Sequence, residues 1–165
     1  MANFTHFDEQ GASRMVNVGG KQPTQRVARA SACVVMLPET LQMITSKALS
    51  KGDVLEVARL AGIMATKQTG NLIPLCHPIG VDGVELDFKV EVPDRIRIEA
   101  TISVFARTGV EMEAMTAVSV AALTIYDMCK AVDRAMTITE VQLLEKLGGK
   151  SGHFVRDEDS VESSG

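Results

Sequence analysis

"VELDFKVEVPDRIRIEATISV", residues 84–104, settles the class of fold. Val84, Leu86, Phe88, Val90 and Val92 alternate with Glu85, Asp87, Lys89 and Glu91. Past Pro93-Asp94, Ile96, Ile98, Ala100, Ile102 and Val104 alternate with Arg97, Glu99, Thr101 and Ser103. A strand turns successive side chains to opposite faces. The pattern therefore predicts an antiparallel hairpin with one face on a core and the other in water.

The flanks supply helices and further strands. In "KGDVLEVARLAGIMATKQTG", residues 51–70, Asp53 can cap free helix amides, Glu56 completes a capping box and Gly70 suits a stop. Its apolar residues run around much of the circumference, which predicts a well-buried helix. Upstream, Pro38 suits a first helical turn, and Leu37, Leu41, Ile44 and Ala48 recur at helical spacing. "ASACVVM", residues 30–36, is β-prone, whereas residues 1–29 read as a polar arm carrying Lys21, Arg26 and Arg29 without a sustained period. Downstream, Met115, Val118, Ala122, Ile125, Cys129, Val132 and Met136 step by three and four, predicting a long helix from about 111 to 136. "TITEVQLLEK", residues 137–146, reads as a last strand, and residues 148–165 as a Gly- and Ser-rich tail whose end is mobile. The order is strand, two helices, two strands, helix, strand. This is an α+β, ferredoxin-like β-α-β-β-α-β plan with an antiparallel sheet and an extra helix in the first crossover. One domain spans 1–165: an arm at 1–29, a core at 30–147 and a tail at 148–165.

Composition narrows the function classes. A net charge of −4, one Tyr and no Trp give neither the basic surface nor the stacking platforms of a nucleic-acid binder. No apolar run approaches a membrane span, and "MANFTHFDEQ" lacks a signal pattern. Cys33, Cys76 and Cys129 are odd in number and widely spaced, which suits reduced thiols in a cytoplasmic setting.

Several clusters are candidates for chemistry. In "NLIPLCHPIG", residues 71–80, Cys76 and His77 stand between Pro74 and Pro78. Neighbours on an extended segment point to opposite faces and rarely share a proton or a metal, and no further zinc ligands stand at recognisable spacing. A buried Cys beside a pocket-facing His77 is the better reading, with no metal site. In "LTIYDMCKAVDRAM", residues 123–136, Asp127, Lys130 and Arg134 fall on one helix face. A solvated ion pair of about 0.2–0.5 kcal/mol accounts for that face, and geometry alone favours it over an acid–base pair. Glu111 and Glu113 in "GVEMEAM" suit a helix N-terminus. Glu113 lies fourteen residues from Asp127, about 21 Å along a straight helix at about 1.5 Å per residue. If both act on one small ligand, a second subunit must supply one of them. "KLGGKSG", residues 146–152, has Leu144 where a phosphate loop needs Gly, yet a flexible segment with Lys146 and Lys150 can still fold over an anion. Arg26, Lys51 and Lys67 are further cations, each a solvated surface group when taken singly.

Together, "KGDVLEVARLAGIMATKQTGNLIPLCHPI", "GVEMEAMTAVSVAALTIYDMCKAV" and "KLGGKSG" resemble the cyclic pyranopterin monophosphate synthases of molybdenum cofactor biosynthesis. The likeness runs from "MVNVGGKQPTQRVARA" to Gly152, with Asn17 where that family usually has Asp. The resemblance implies a homohexamer of three dimers, each subunit ferredoxin-like, with active sites between subunits. It implies conversion of 3′,8-cyclo-7,8-dihydroguanosine 5′-triphosphate to the tricyclic pterin with release of pyrophosphate. In that reading Asp127 is the principal acid or base, and Lys130 and Lys51 assist. Arg26, Lys67, Lys146 and Lys150 meet the triphosphate. Leu75, Cys76, His77, Met112 and Glu113 contact substrate. The chemistry needs proton transfers and no tightly bound cofactor, and Mg²⁺ accompanying the triphosphate is left open. Competing readings are a nucleotide- or RNA-binding module and a structural oligomerisation subunit. Neither has turnover to lose.

Overall fold

The computed structural model describes residues 6, 8, 10–46 and 53–157. Lys51, Ala48 and the end of the tail lie outside the described residues. The elements are β1 (Thr24–Val35), α1 (Pro38–Thr45), α2 (Val54–Thr66), α3 (Thr69–Leu72), β2 (Gly83–Glu91), β3 (Arg95–Ala106), α4 (Glu111–Cys129), β4 (Thr137–Leu147) and β5 (Phe154–Val155). The strands pair antiparallel in the order β2-β3-β1-β4-β5. The first four keep the ferredoxin-like arrangement that the chain order predicts.

The hairpin forms as its alternation requires, with Val84 opposite Ile102 and Phe88 opposite Ile98. Ile96, Ile98, Ala100, Ile102 and Val104 are buried, with α4 packed on β3 and α2 on β2. The opposite face wears a layer of ion pairs. Arg29 meets Glu99 and Glu145, each at 3.1 Å, while Arg97 meets Glu91 at 2.9 Å and Glu140 at 2.8 Å. Cys33 is on this face and fully buried, and burial pushes its thiol pKa up.

Five elements depart from the sequence reading, one of them β5, which pairs with β4 inside the stretch read as a tail. β1 begins at Thr24, inside the stretch read as an arm. It is the central strand, paired on both sides, so pairing with β3 and β4 orders residues whose own pattern is weak. The long helix stops at Cys129, where Lys130 caps it; Arg134 and Met136 therefore lie beyond it, and Met136 is buried from the connection. A short helix, α3, follows α2 and includes Gly70, the residue expected to end α2. Glycine is needed there because a Cβ at Gly70 would lie 3.0 Å from Pro78 Cα. Finally, α2 is not buried all round. Val54, Ala58, Gly62 and Ala65 face inward, but Val57, Leu60 and Met64 are exposed.

Capping follows the expected chemistry at α2, where Asp53 Oδ1 accepts from the Leu55 and Glu56 amides at 3.2 and 3.3 Å. Glu56 itself turns to Arg59 at 3.2 Å. At α1 the cap is supplied from a distant part of the chain. Leu37 precedes Pro38 and has no capping side chain of its own. Asp133, 3% exposed, accepts instead from the Leu37 amide at 2.8 Å and the Thr40 hydroxyl at 3.3 Å, and from Ala135 N–H at 3.1 Å. One carboxylate thus ties the end of α4 to the end of β1. Asp133→Ala leaves buried donors without a partner and should cost about 2–3 kcal/mol, read as a lowered urea midpoint at unchanged m-value.

Candidate active site

α4 is continuous from Glu111 to Cys129 and sorts the candidate residues to its two ends. At its N-terminal end a cavity of about 350 Å³ is lined by Leu75, Cys76, His77, Met112 and Glu113, five of the residues singled out in the sequence. Cys76 and His77 both line it, although adjacency on an extended segment argued against this. The segment is not extended there: Cys76 N–H closes a turn onto Ile73 O at 3.1 Å. The turn, with Gly70 packed on Pro78, brings both residues to one cavity. Lys67 lines a neighbouring cavity of about 280 Å³, and Ile79 belongs to both.

The electrostatics of this cavity are unusual for a helix start. Glu113, in the first turn of α4, is 2% exposed, and burial raises its carboxyl pKa. Its own backbone N–H opposes that shift, and Glu111 adds to it. Burial and the Glu113 carboxylate together push the Cys76 thiol up, which keeps it protonated and makes it a poor nucleophile. Glu111 lines the cavity too, folded back over Gly109, where any side chain would collide with it. Glu111 Oε1 stands 4.0 Å from Lys146 Nζ.

Lys146 and Arg26 lie beside this end of the fold. Lys146 is on β4 opposite Ala28, and its ammonium also reaches Ser151. Gly148 and Gly149 adopt φ of +96° and +83°, which carries the chain across Arg26. A Cβ at 149 would strike the Arg26 guanidinium. Arg26 Nε is buried with no hydrogen-bond partner among the described residues, and such an orphan donor costs about 1–3 kcal/mol until an acceptor arrives. Lys150 sits in the same β4–β5 connection. Asn17, the departure from the family pattern, accepts from Gly19 N–H at 2.8 Å through Oδ1. The acceptor role survives the loss of the carboxylate.

Asp127 and Lys130 are at the other end of α4, ion-paired, with side chains 66% and 53% exposed. The structure therefore does not bring them to the cavity within one chain, and Lys51 lies outside the described residues. A larger groove of about 470 Å³ crosses the outer face of the sheet, lined by Arg29, Arg97, Glu99, Glu140 and Glu145 among others. Arg29 and Arg97 are engaged by those carboxylates, Arg156 donates to Leu143 O at 2.8 Å, and none of the sequence candidates lies in it. Sequence reasoning missed the contribution of the arm. His6, Val16, Val18 and Lys21 line the smaller cavity with the expected residues. The arm has no periodicity, so only the proximity of Lys21 to the Gly-Gly pair and to Arg26 in sequence hinted at a role.

An α+β sandwich with a small cavity at one end of α4 and an exposed Asp–Lys ion pair at the other has the concave, ionisable-lined form of a small-molecule site. The chain belongs to the MoaC family, whose model matches residues 15–149. A relative named cyclic pyranopterin monophosphate synthase from Magnetococcus marinus is 62% identical over 95% of this chain and 97% of its own length. Cyclic pyranopterin monophosphate synthase 3 of Mycobacterium tuberculosis (strain ATCC 25618 / H37Rv) is 59% identical over 98% of this chain and 91% of its own. The Desulfitobacterium hafniense synthase is 58% identical over 94% and 95%.

The raised pKa of Glu113 has a sign that can be checked. A carboxyl whose folded pKa exceeds its unfolded value of about 4.5 contributes stability that is full below that value and lost as pH rises. Glu113→Gln should therefore melt above the wild type at pH 8 by about 2–4 °C, the equivalent of about 1 kcal/mol. The gap should close toward pH 4, as followed by differential scanning calorimetry.

Proposed function

We propose that this chain is a cyclic pyranopterin monophosphate synthase, a lyase that converts 3′,8-cyclo-7,8-dihydroguanosine 5′-triphosphate to cyclic pyranopterin monophosphate and pyrophosphate in molybdenum cofactor biosynthesis. The observation that carries the mechanism is the separation along α4. The residues suited to hold substrate gather around Glu113, and Asp127 stands toward the opposite end, about 21 Å away at about 1.5 Å per residue. Each working site then takes its binding wall from one subunit and its acid–base pair from another. The outer helical layer favours such assembly. Leu60, Met64 and Leu123 are 61%, 50% and 57% exposed, and a partner seated there removes them from water. A homohexamer of three dimers is the assembly this reading adopts.

The roles follow from chemistry. Asp127 exchanges protons with the rearranging rings, and Lys130 and Lys51 steady the anions that develop. Glu113 and Glu111 accept from the N–H edge of the guanine-derived ring. His77, with Leu75, Cys76 and Met112, forms the wall beside it. Arg26, Lys67, Lys146 and Lys150 neutralise the triphosphate, and the orphaned Arg26 Nε is a donor awaiting such an acceptor. Ring opening, reclosure and phosphate cyclisation call for proton transfers and no resident organic cofactor, while Mg²⁺ can travel with the triphosphate on few protein ligands. A cytoplasmic location goes with this reading. α4 is long and apolar enough to cross a membrane by composition, but half of that window is buried inside the fold.

Pyrophosphate release from the cyclised dihydro-GTP is the direct test. Asp127→Asn should lower kcat by about 10²–10⁴-fold with assembly and substrate binding retained. Release by neither the wild type nor the variant would end the synthase reading. Shared sites make a second prediction. Asp127→Asn and Glu113→Gln subunits, each inactive alone, should regain up to about a quarter of wild-type activity when co-assembled, because mixed oligomers then contain sites with both groups intact. Co-assembly without recovery would sink the two-subunit site.

A further inference from the structure

We propose that Asp133 is the positioning residue for Lys130: its buried carboxylate pins the exposed turn that ends α4, and so fixes where Lys130 stands beside Asp127. The catalytic consequence rests on the synthase reading, which gives Asp127 and Lys130 their roles. Asp127 lies inside α4, with Ile125, Met128 and Cys129 buried around it in sequence, so the packed helix places it. Lys130 has no such support. It is the first residue beyond the helix, and Ala131, Val132, Arg134 and Ala135 after it are all exposed. From Lys130 to Ala135, Asp133 alone is buried. The ion pair thus joins a residue set by the helix to one set by the turn.

The backbone of the turn folds onto the helix end. Lys130 N–H donates to Tyr126 O at 2.8 Å, and the Val132 and Asp133 N–H groups donate to Cys129 O at 2.9 and 3.1 Å. The Tyr126 hydroxyl adds a bond to Arg134 O at 3.2 Å, again within the same end of the chain. Only the Asp133 carboxylate reaches across to another element among the hydrogen bonds of this turn in the described residues. Oδ2 accepts from Leu37 N–H and the Thr40 hydroxyl at the start of α1, while Oδ1 accepts from Ala135 N–H. These donors are neutral, and two of them are backbone amides with fixed directions. Both oxygens are engaged, so the bond set specifies one orientation of the turn. An amide in place of the carboxylate keeps one acceptor oxygen and turns an NH2 donor toward a donor on the other side.

The test takes two readouts on the full chain. By hydrogen exchange, Asp133→Asn should speed the Lys130 and Val132 amides about tenfold more than the buried mid-helix amides of Ala121 and Ala122. In pyrophosphate release it should lower kcat about tenfold, since a small misplacement of a reacting group costs rate. KM should be kept, because the binding wall is at the other end of α4. Thr40→Val removes one donor, leaves both amides paired and should show the same pattern more weakly, so it carries both readouts if Asp133→Asn does not fold. Ile98→Val, in the buried face of β3, is the control for lost stability alone and should leave kcat and the relative exchange of the turn unchanged. Uniform loss of protection along α4 in Asp133→Asn, or an equal fall in kcat for Ile98→Val, would each overturn the proposal. Wild-type release with kcat unchanged in Asp133→Asn would keep the synthase reading and overturn the positioning role. Faster exchange confined to the turn, in a chain whose wild type releases no pyrophosphate, would uphold the placing of Lys130 by Asp133 and remove the synthase reading.

Discussion

Everything in this fold depends on how closely α4 sits on the sheet. Ala28, Ala30 and Ala32 of β1 and Ala114, Ala117, Ala121 and Ala122 of α4 are all fully buried. Small side chains on both surfaces let the helix approach the strand, and Gly62 of α2 comes against the same helix, a Cβ there lying 3.1 Å from Ala117 O and 3.5 Å from Ala121 Cβ. The alanines contribute little apolar area each. The stabilising area comes from Ile96, Ile98, Ile102, Val118 and Ile125, at roughly 1.5–3 kcal/mol for each fully buried large side chain. The alanines set the spacing, and the branched residues fill the space that remains. A helix held on one face by the sheet and on its flank by α2 keeps Glu113 and Asp127 on α4 about 21 Å apart within one chain.

The legibility of each element follows from the same packing. The β2–β3 hairpin was readable because one face is apolar and the other carries charges, and the alternation survives in the residues themselves. β1 was read six residues short. It is paired on both sides and lies between a tightly seated helix and an ion-pair layer, so its inward residues are alanines and its outward ones include Arg29, Ser31 and Cys33. Neither set looks like a strand. The end of α4 was overshot because Met136 keeps the apolar period while belonging to the connection, and Asp133, which caps a helix nearly a hundred residues away, carries no local signal. The circumferential apolarity of α2 was real, but its outer half is exposed in a single chain.

The candidate site divides in the same way. His77 was legible as pocket-facing because the prolines around it are a local feature, whereas Cys76, Met112 and Glu113 were read as substrate contacts only through the family resemblance. The distance from Glu113 to Asp127 follows from the helix period. Lys21 was not legible, because nothing within residues 13–23 signals that two turns fold them against the Cys76–His77 segment. The likeness to the family does not supply that either.

A single chain leaves the Asp127–Lys130 ion pair in water, and for the acid–base role proposed above this is the state in which such a pair does least. Two unit charges 4 Å apart interact by about 1 kcal/mol in bulk water and about 4 kcal/mol at an effective dielectric of 20. With Asp127 and Lys130 both more than half exposed, their mutual effect is near the lower figure. Seating a neighbouring subunit over Leu123 and Leu60 removes water from the same helical face. The partner's cavity then supplies the substrate, and the drier surroundings strengthen every charge interaction around the reacting rings. Oligomerisation in this reading does two jobs at one surface: it joins the half-sites that α4 keeps apart, and it lowers the dielectric in which Asp127 must work. Under the proposed function, a helix with a binding wall at one end and a solvated Asp127–Lys130 pair at the other gains activity only through that contact.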